Sequence, residues 1–75
     1  MRFKIKLNTI EKVKEFSNIC SQYDFNIDVF SGRYIVDGKS TLGLFSLDLT
    51  KELIVKIDDE NINKIFPEIK KFIEI

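Results

Sequence analysis

Four short runs of this chain have the period of a β-strand, and each places its apolar side chains on one face. A strand of this kind is covered by the core on one side and meets solvent on the other. Four such strands predict an antiparallel sheet with helices on a single side. The inward-facing residues of the four runs are, in order, Phe3, Ile5 and Leu7; Phe25, Ile27 and Val29; Tyr34 and Val36; and Leu53, Val55 and Ile57.

Two segments with the period of a helix lie between these strands. The first helix begins after a capping-box pattern at Asn8–Glu11 and continues to about Tyr23. Ser40 is a favourable N-cap for a second, short helix from Thr41 to about Leu47. The apolar stripe of the first helix consists of Ile10, Val13, Phe16, Cys20 and Tyr23, with Ile19 beside it.

A hairpin and a third helix complete the order of elements. Ser31–Gly32 is a two-residue turn of the hairpin kind. Acidic residues 58–60 favour the start of the last helix, in which Pro67 predicts either a kink or the start of the regular part. The order β-α-β-β-α-β-α predicts an α+β fold, an open-faced sandwich, as a single domain over residues 1–75.

Composition excludes several kinds of partner. Twelve basic and twelve acidic residues give a net charge of zero, so no electrostatic footprint for nucleic acid is present. The single cysteine, Cys20, excludes an internal disulfide, fits a reducing compartment and is expected to be a small core residue. No apolar run approaches the length of a membrane span, and the alternating first residues are not a signal peptide. We therefore expect a cytoplasmic protein with no membrane partner.

The chain contains no histidine. The commonest general base and the commonest metal ligand are therefore missing. The sequence also has no nucleophile motif, no Gly-rich phosphate loop and no cluster with metal-ligand spacing. We expect a protein that is not an enzyme and that needs no cofactor or metal.

One stretch in the middle of the chain carries a family resemblance. The run Gly38-Lys39-Ser40-Thr41-Leu42-Gly43-Leu44-Phe45-Ser46-Leu47 is similar to the Lys-Ser-hydrophobic-hydrophobic-Gly-hydrophobic-hydrophobic-Ser-Leu run of HPr, the phosphocarrier of the bacterial sugar phosphotransferase system. The length and the order of elements resemble HPr as well. This resemblance implies an open-faced sandwich with strand order 1-4-2-3 and three helices on one face.

The sequence departs from HPr at the active site. The resemblance places the family's phosphorylated histidine at about Thr9, its arginine at about Glu11 and its proline at about Lys12. A glutamate at the arginine position would repel a phosphoryl dianion. Phosphoryl relay through histidine is therefore excluded, and Thr9 is expected to be a helix-start residue.

Ser40 corresponds to the serine that a dedicated kinase phosphorylates in many HPr proteins. A phosphate there would meet free N–H groups at the helix start, with Lys39 beside it. Thr41, Leu42 and Phe45 would then form a docking patch for protein partners. The alternative is that Ser40 is only an N-cap and that Leu42 and Phe45 belong to the core.

Two functions of different classes remain open. The first is an HPr-like phosphotransferase-system protein without a phosphorylatable histidine, a regulatory or binding module that uses the Ser40 helix. Its partners would be proteins of that system or a regulatory protein. The second is a structural or interaction domain that shares only the fold. Phe30, Ile35 and Ile54 are expected to point outward from the open sheet face, where they are either scattered exposed apolar residues or a cluster through which the domain forms a homodimer or contacts a partner.

Overall fold

The computed structural model describes residues 1–73, so Glu74 and Ile75 of the predicted domain lie outside the described residues. One sheet of four strands has the order β1-β4-β2-β3, and every neighbouring pair is antiparallel. The predicted open-faced α+β sandwich with strand order 1-4-2-3 is thereby confirmed. The elements are β1 (Arg2–Ile5), α1 (Ile10–Cys20), β2 (Asp28–Ser31), β3 (Tyr34–Asp37), α2 (Thr41–Phe45), β4 (Leu53–Lys56), α3 (Asp59–Ile69) and a 3₁₀-helix (Lys70–Phe72).

The core lies between the sheet and the helices. The inner faces of β1, β2 and β4 supply buried Ile5, Val29, Leu53 and Val55, as the alternation predicts. Tyr34 was also expected to face inward, but it is 70% exposed because it lies at the end of the edge strand β3, beside the hairpin turn. Each strand is only four residues long and shorter than predicted. Nevertheless, several inward residues just outside the strands, such as Leu7, remain fully buried. The rest of the core comes from the helices and loops: Leu7, Val13, Phe16, Cys20, Ile27, Leu44, Leu47, Ile57, Ile62, Ile65, Ile69 and Phe72.

Helix α1 differs from its prediction at both ends. Thr9 is the N-cap and accepts a hydrogen bond from the Lys12 N–H (3.1 Å), one residue later than the predicted cap. Ile10 was expected on the buried stripe, but it is 59% exposed because the core contact begins one turn later, at Val13. The helix ends at Cys20, since the next residues form tighter bonds: the Tyr23 N–H donates to the Cys20 carbonyl (3.2 Å).

The hairpin turn between β2 and β3 lies at Gly32–Arg33, so the prediction of Ser31–Gly32 is wrong by one residue. Gly32 has φ = 59°, a left-handed conformation that only glycine adopts without strain. A glycine at the first central position, followed by a residue with negative φ, is typical of the type II′ hairpin turn. Ser31 and Tyr34 are therefore the pair that closes the hairpin.

The other two helices also correct their predicted bounds. Helix α2 ends at Phe45, two residues before the predicted end, and Leu47 is buried outside it. Helix α3 begins at Asp59 and contains Pro67, so a start at Pro67 is wrong. The chain continues past α3 as the 3₁₀-helix, and Ile73 then forms a bridge with Ile5 beside the β1 edge.

Candidate recognition surface around Ser40

The segment that leads from β3 into α2 is held by short-range hydrogen bonds. The Asp37 side chain accepts from the Lys39 N–H (2.9 Å), and the Asp37 carbonyl accepts from the Ser40 N–H (2.9 Å). Gly38 between them is buried, and its N–H donates to the Ile27 carbonyl (2.8 Å). A Cβ at position 38 would lie 2.9 Å from Ile27 Cγ2, so any residue larger than glycine would force Ile27 or the backbone to move.

Ser40 is the N-cap of α2, as predicted. Its backbone is extended, and its Oγ accepts a hydrogen bond from the Gly43 N–H (3.0 Å). The residue is exposed to solvent. The arrangement therefore leaves the Ser40 hydroxyl accessible at the start of a helix while its oxygen satisfies one of the free N–H groups.

A buried hydroxyl on α1 fixes the start of α2. Ser17 is 2% exposed and donates from Oγ to the Lys39 carbonyl (3.0 Å). The Thr41 hydroxyl donates in turn to Ser17 Oγ (2.9 Å). Ser21, one turn further along α1, donates to the Ser17 carbonyl (2.8 Å). The two bonds of the Ser17 hydroxyl tie both sides of Ser40 to α1, a role for Ser17 that the sequence analysis did not predict.

Helix α2 divides its apolar residues between the core and solvent. Leu44 is fully buried, whereas Leu42 is 85% exposed and Phe45 is 39% exposed. The alternative that Leu42 and Phe45 are simply core residues is therefore wrong, although Phe45 is much less exposed than Leu42. Thr41 is half-buried, and its hydroxyl donates a hydrogen bond to Ser17 on α1. Among Thr41, Leu42 and Phe45, it therefore contributes least to the outer surface. Lys39 is also half-buried.

Thr9 lies away from this surface. Ser17 is the part of α1 that contacts the α2 start, and Thr9 precedes it by about 12 Å along the helix axis at the rise of an α-helix. The Thr9 side chain is engaged as an N-cap, as predicted for a helix-start residue, and Lys12 Nζ donates to Asn8 Oδ1 (3.1 Å). Glu11 is exposed beside them. The structure therefore separates Thr9, at the start of α1, from the surface around Ser40.

Cys20 has the environment of a core residue, as predicted. Burial raises the pKa of its thiol to about 12, and the nearby Asp37 carboxylate acts in the same direction. The thiol is therefore protonated and unreactive at neutral pH.

The open face of the sheet carries the predicted apolar cluster. Phe30 on β2 is paired with Ile35 on β3 and with Ile54 on β4, so the three side chains form one row across the sheet. Ile35 is 59% exposed, while Phe30 and Ile54 are half-buried. The Arg2 guanidinium lies 5.6 Å from the centroid of the Phe30 ring, a cation–π contact that covers part of the row.

The described part of the chain contains no group of three or more acidic or cysteine side chains arranged to hold a metal ion. Within residues 1–73, no helix is long and apolar enough to cross a lipid bilayer.

Comparison with known proteins relates the chain to HPr through its structure. No protein-family model matches the sequence, and no curated protein is similar to it. The chain does resemble the crystal structure of HPr-C-His from Thermoanaerobacter tengcongensis, with a TM-score of 0.71 over 95% of this chain and 91% of that one. The two sequences are 18% identical. The chain therefore has an HPr-like fold. At this identity, the likeness extends to the fold alone.

Proposed function

We propose that this protein is an HPr-like regulatory or binding module of a bacterial phosphotransferase system and that it does not relay phosphate. The observation that carries the proposal is the exposed end of α2, where an accessible Ser40 stands beside an almost fully exposed Leu42. Because Leu42 is so exposed, its side chain gains little free energy from burial in the folded chain, and docking against a partner would bury it. The protein acts in the cytoplasm of a bacterium and performs no catalysis itself.

The absence of histidine supports the proposal that the protein does not relay phosphate. Phosphoryl transfer from Enzyme I requires a nucleophile at the start of α1, and Thr9 there is engaged as an N-cap with Glu11 close by. Incubation with phosphoenolpyruvate and Enzyme I should leave the chain unmodified. Acid-labile phosphate on this chain would refute the proposal.

Ser40 is the proposed point of regulation. A phosphate on its Oγ would lie beside the N–H groups that open α2 and close to Lys39. With ATP and an HPr serine kinase, we expect one phosphate on the wild type and on Ser46→Ala, which removes the exposed hydroxyl at the other end of α2. Ser40→Asp keeps the N-cap but should accept none. A label that persists in Ser40→Asp, or no label at all, would exclude this form of regulation.

The proposed partners are proteins of the phosphotransferase system or a regulatory protein, and they contact Ser40, Leu42 and Phe45. A pull-down from the native host provides the first test, with Leu42→Glu/Phe45→Glu as the control. Because both positions are exposed to some degree and Leu44 still anchors the helix, the double variant should remain folded. Proteins captured equally by the wild type and by the double variant would argue against this surface.

The second candidate is an interaction domain that shares only the fold, and the open-face row of Phe30, Ile35 and Ile54 favours it. A second copy would cover this row face to face. Sedimentation of the wild type and of Ile54→Lys tests this contact. A monomer in both samples would rule it out.

A further inference from the structure

The two edges of the sheet are protected unequally. Beside β1, the Lys6 N–H donates to the Phe72 carbonyl (3.0 Å), and Ile73 forms a bridge with Ile5. At the opposite edge, the outer side of β3 is not paired with any strand formed by residues 1–73. The edge is also accessible, since Tyr34 is 70% exposed and Ile35 is 59% exposed. An apolar edge strand without a cover is a template for pairing with another chain.

The register shows which backbone groups point out of this edge. Hydrogen-bonded and non-hydrogen-bonded pairs alternate along an antiparallel ladder. The Gly38 N–H bonds to the Ile27 carbonyl (2.8 Å), so the next pair, at Asp37, is a non-hydrogen-bonded one. Ile35 lies two residues before Asp37, so its pair with Phe30 is also a non-hydrogen-bonded one. The backbone groups of Ile35 and Asp37 therefore face away from β2, toward the free edge.

Ile35 is the centre of this edge. The Asp37 carbonyl already accepts the Ser40 N–H (2.9 Å), so Asp37 offers only its N–H to a neighbour. Ile35 presents both its N–H and its carbonyl. Two copies of Ile35 placed opposite each other exchange two hydrogen bonds, which is the pairing that an antiparallel ladder requires.

We propose that β3 pairs antiparallel with β3 of a second copy of this chain, about a two-fold axis at Ile35, so that the two sheets become one. The contact is isologous, because the same strand is used by both copies. The inference does not rest on the proposed function, since it uses neither Ser40 as a modification site nor the exposed face of α2.

Charge complementarity selects this register. Residues opposite each other must share a face, so the axis passes through a residue, and Ile35 and Val36 are the two central residues of β3. With the axis at Ile35, Arg33, the turn residue directly before β3, comes close to Asp37 at the end of the second copy's strand, and the reciprocal pair repeats the contact. Tyr34 faces Val36 of the second copy, an aromatic and β-branched pair of the kind that stabilises sheets.

The alternative register is unfavourable. With the axis at Val36, Arg33 and Lys39, which lie just outside the two ends of β3, would come close to each other across the two copies, and the two cations would repel. The Ile35 N–H would also need the Asp37 carbonyl of the second copy, which the Ser40 N–H already occupies. The axis at Ile35 is favoured because its central pair uses backbone groups that are both available and because it brings opposite charges together.

A charge swap tests the proposal. Sedimentation of the wild type up to about 1 mM should show a reversible dimer, since a contact of one short strand is expected to be weak. Arg33→Asp and Asp37→Arg, measured singly, should each raise the dissociation constant about tenfold or more. The double variant Arg33→Asp/Asp37→Arg restores opposite charges and should recover association. Circular dichroism identifies any variant that fails to fold.

Amide hydrogen exchange of the wild type supplies a test that needs no variant. The Ile35 amide should exchange more slowly at about 1 mM than at about 10 µM, because dimer formation gives it a partner. Ile54→Lys is the matched control for sedimentation, since Ile54 lies two strands away from the edge, and it should still dimerise. A monomeric wild type, unchanged exchange at Ile35, a folded double variant that does not associate, or loss of the dimer in Ile54→Lys would each overturn the proposal.

Discussion

Replacing Ser17 with alanine removes the hydroxyl that joins α1 to the entry of α2. The Ser17 Oγ donates to the Lys39 carbonyl (3.0 Å) and accepts from the Thr41 hydroxyl (2.9 Å), and Ser17 itself is 2% exposed. A buried polar group left without its partner costs about 1–3 kcal/mol. We therefore expect Ser17→Ala to lower the free energy of unfolding by about 2 kcal/mol and Tm by roughly 8–16 °C for a domain of this size.

Urea denaturation followed by circular dichroism measures this loss. Thr41→Val removes only the outer bond and should cost about half as much, because Ser17 keeps its bond to Lys39. The two substitutions share one network, so their effects should not add in the double variant. Ser46→Ala is the matched control on an exposed serine and should change stability by less than about 0.5 kcal/mol. If Ser17→Ala were as stable as Ser46→Ala, the hydroxyl would not anchor α2.

Three further predictions concern single residues near this site. Gly38→Ala should destabilise the protein by about 1–3 kcal/mol in urea denaturation, because the new Cβ would lie 2.9 Å from Ile27 Cγ2; a neutral effect would contradict the close approach. Burial raises the pKa of the Cys20 thiol to about 12 from its ordinary value of about 9, so the stability due to the neutral thiol is complete below pH 9 and is lost as the pH rises toward 12. A thiol reagent at neutral pH should accordingly modify Cys20 only as fast as the chain unfolds, and modification without denaturant at the rate of a free thiol would refute this. Leu42→Glu should leave the thermal unfolding curve within about 0.5 kcal/mol of the wild type, whereas Leu44→Glu should abolish folding, since only Leu44 is fully buried; equal effects would mean that α2 is oriented differently.

The architecture was predictable because the apolar pattern of most strands and helices matches the face that each buries in the fold. Alternation at Leu53 and Val55 identifies an inner face, and the Ser40 cap identifies the start of α2. The resemblance to HPr added the strand order, which alternation alone does not specify. The open-face row of the sheet also followed from alternation together with that order.

The errors have local causes of their own. The position of the hairpin turn depends on which turn residue takes the positive φ, and Gly32 takes it as the first of the two central residues. Ile10 fits the helical period but lies at the first residue of α1, before the core begins. A periodic pattern describes a face of an element and does not show how far along the element the core extends.

The site was harder to predict than the fold because its contacts join distant parts of the chain. Ser17 is separated by 22 positions from the Lys39 carbonyl to which it donates, and no local pattern encodes that bond. Similarly, helix α2 has too many large apolar side chains for all of them to face the core, and its orientation on the sheet decides that Leu42 is exposed while Leu44 is buried. The only sequence signal for Ser17 was a serine directly after Phe16, beside the apolar stripe.

Amide mapping of a complex tests the proposed recognition surface most directly. The ¹⁵N-labelled protein would be titrated with an HPr serine kinase, and the chemical shifts of its backbone amides would be followed. Our account predicts that the shifts concentrate in residues 39–46 and disappear in Leu42→Glu while the variant remains folded. Shifts confined to the open sheet face, or no shifts at all, would contradict the claim that the end of α2 at Ser40 is where this protein is recognised.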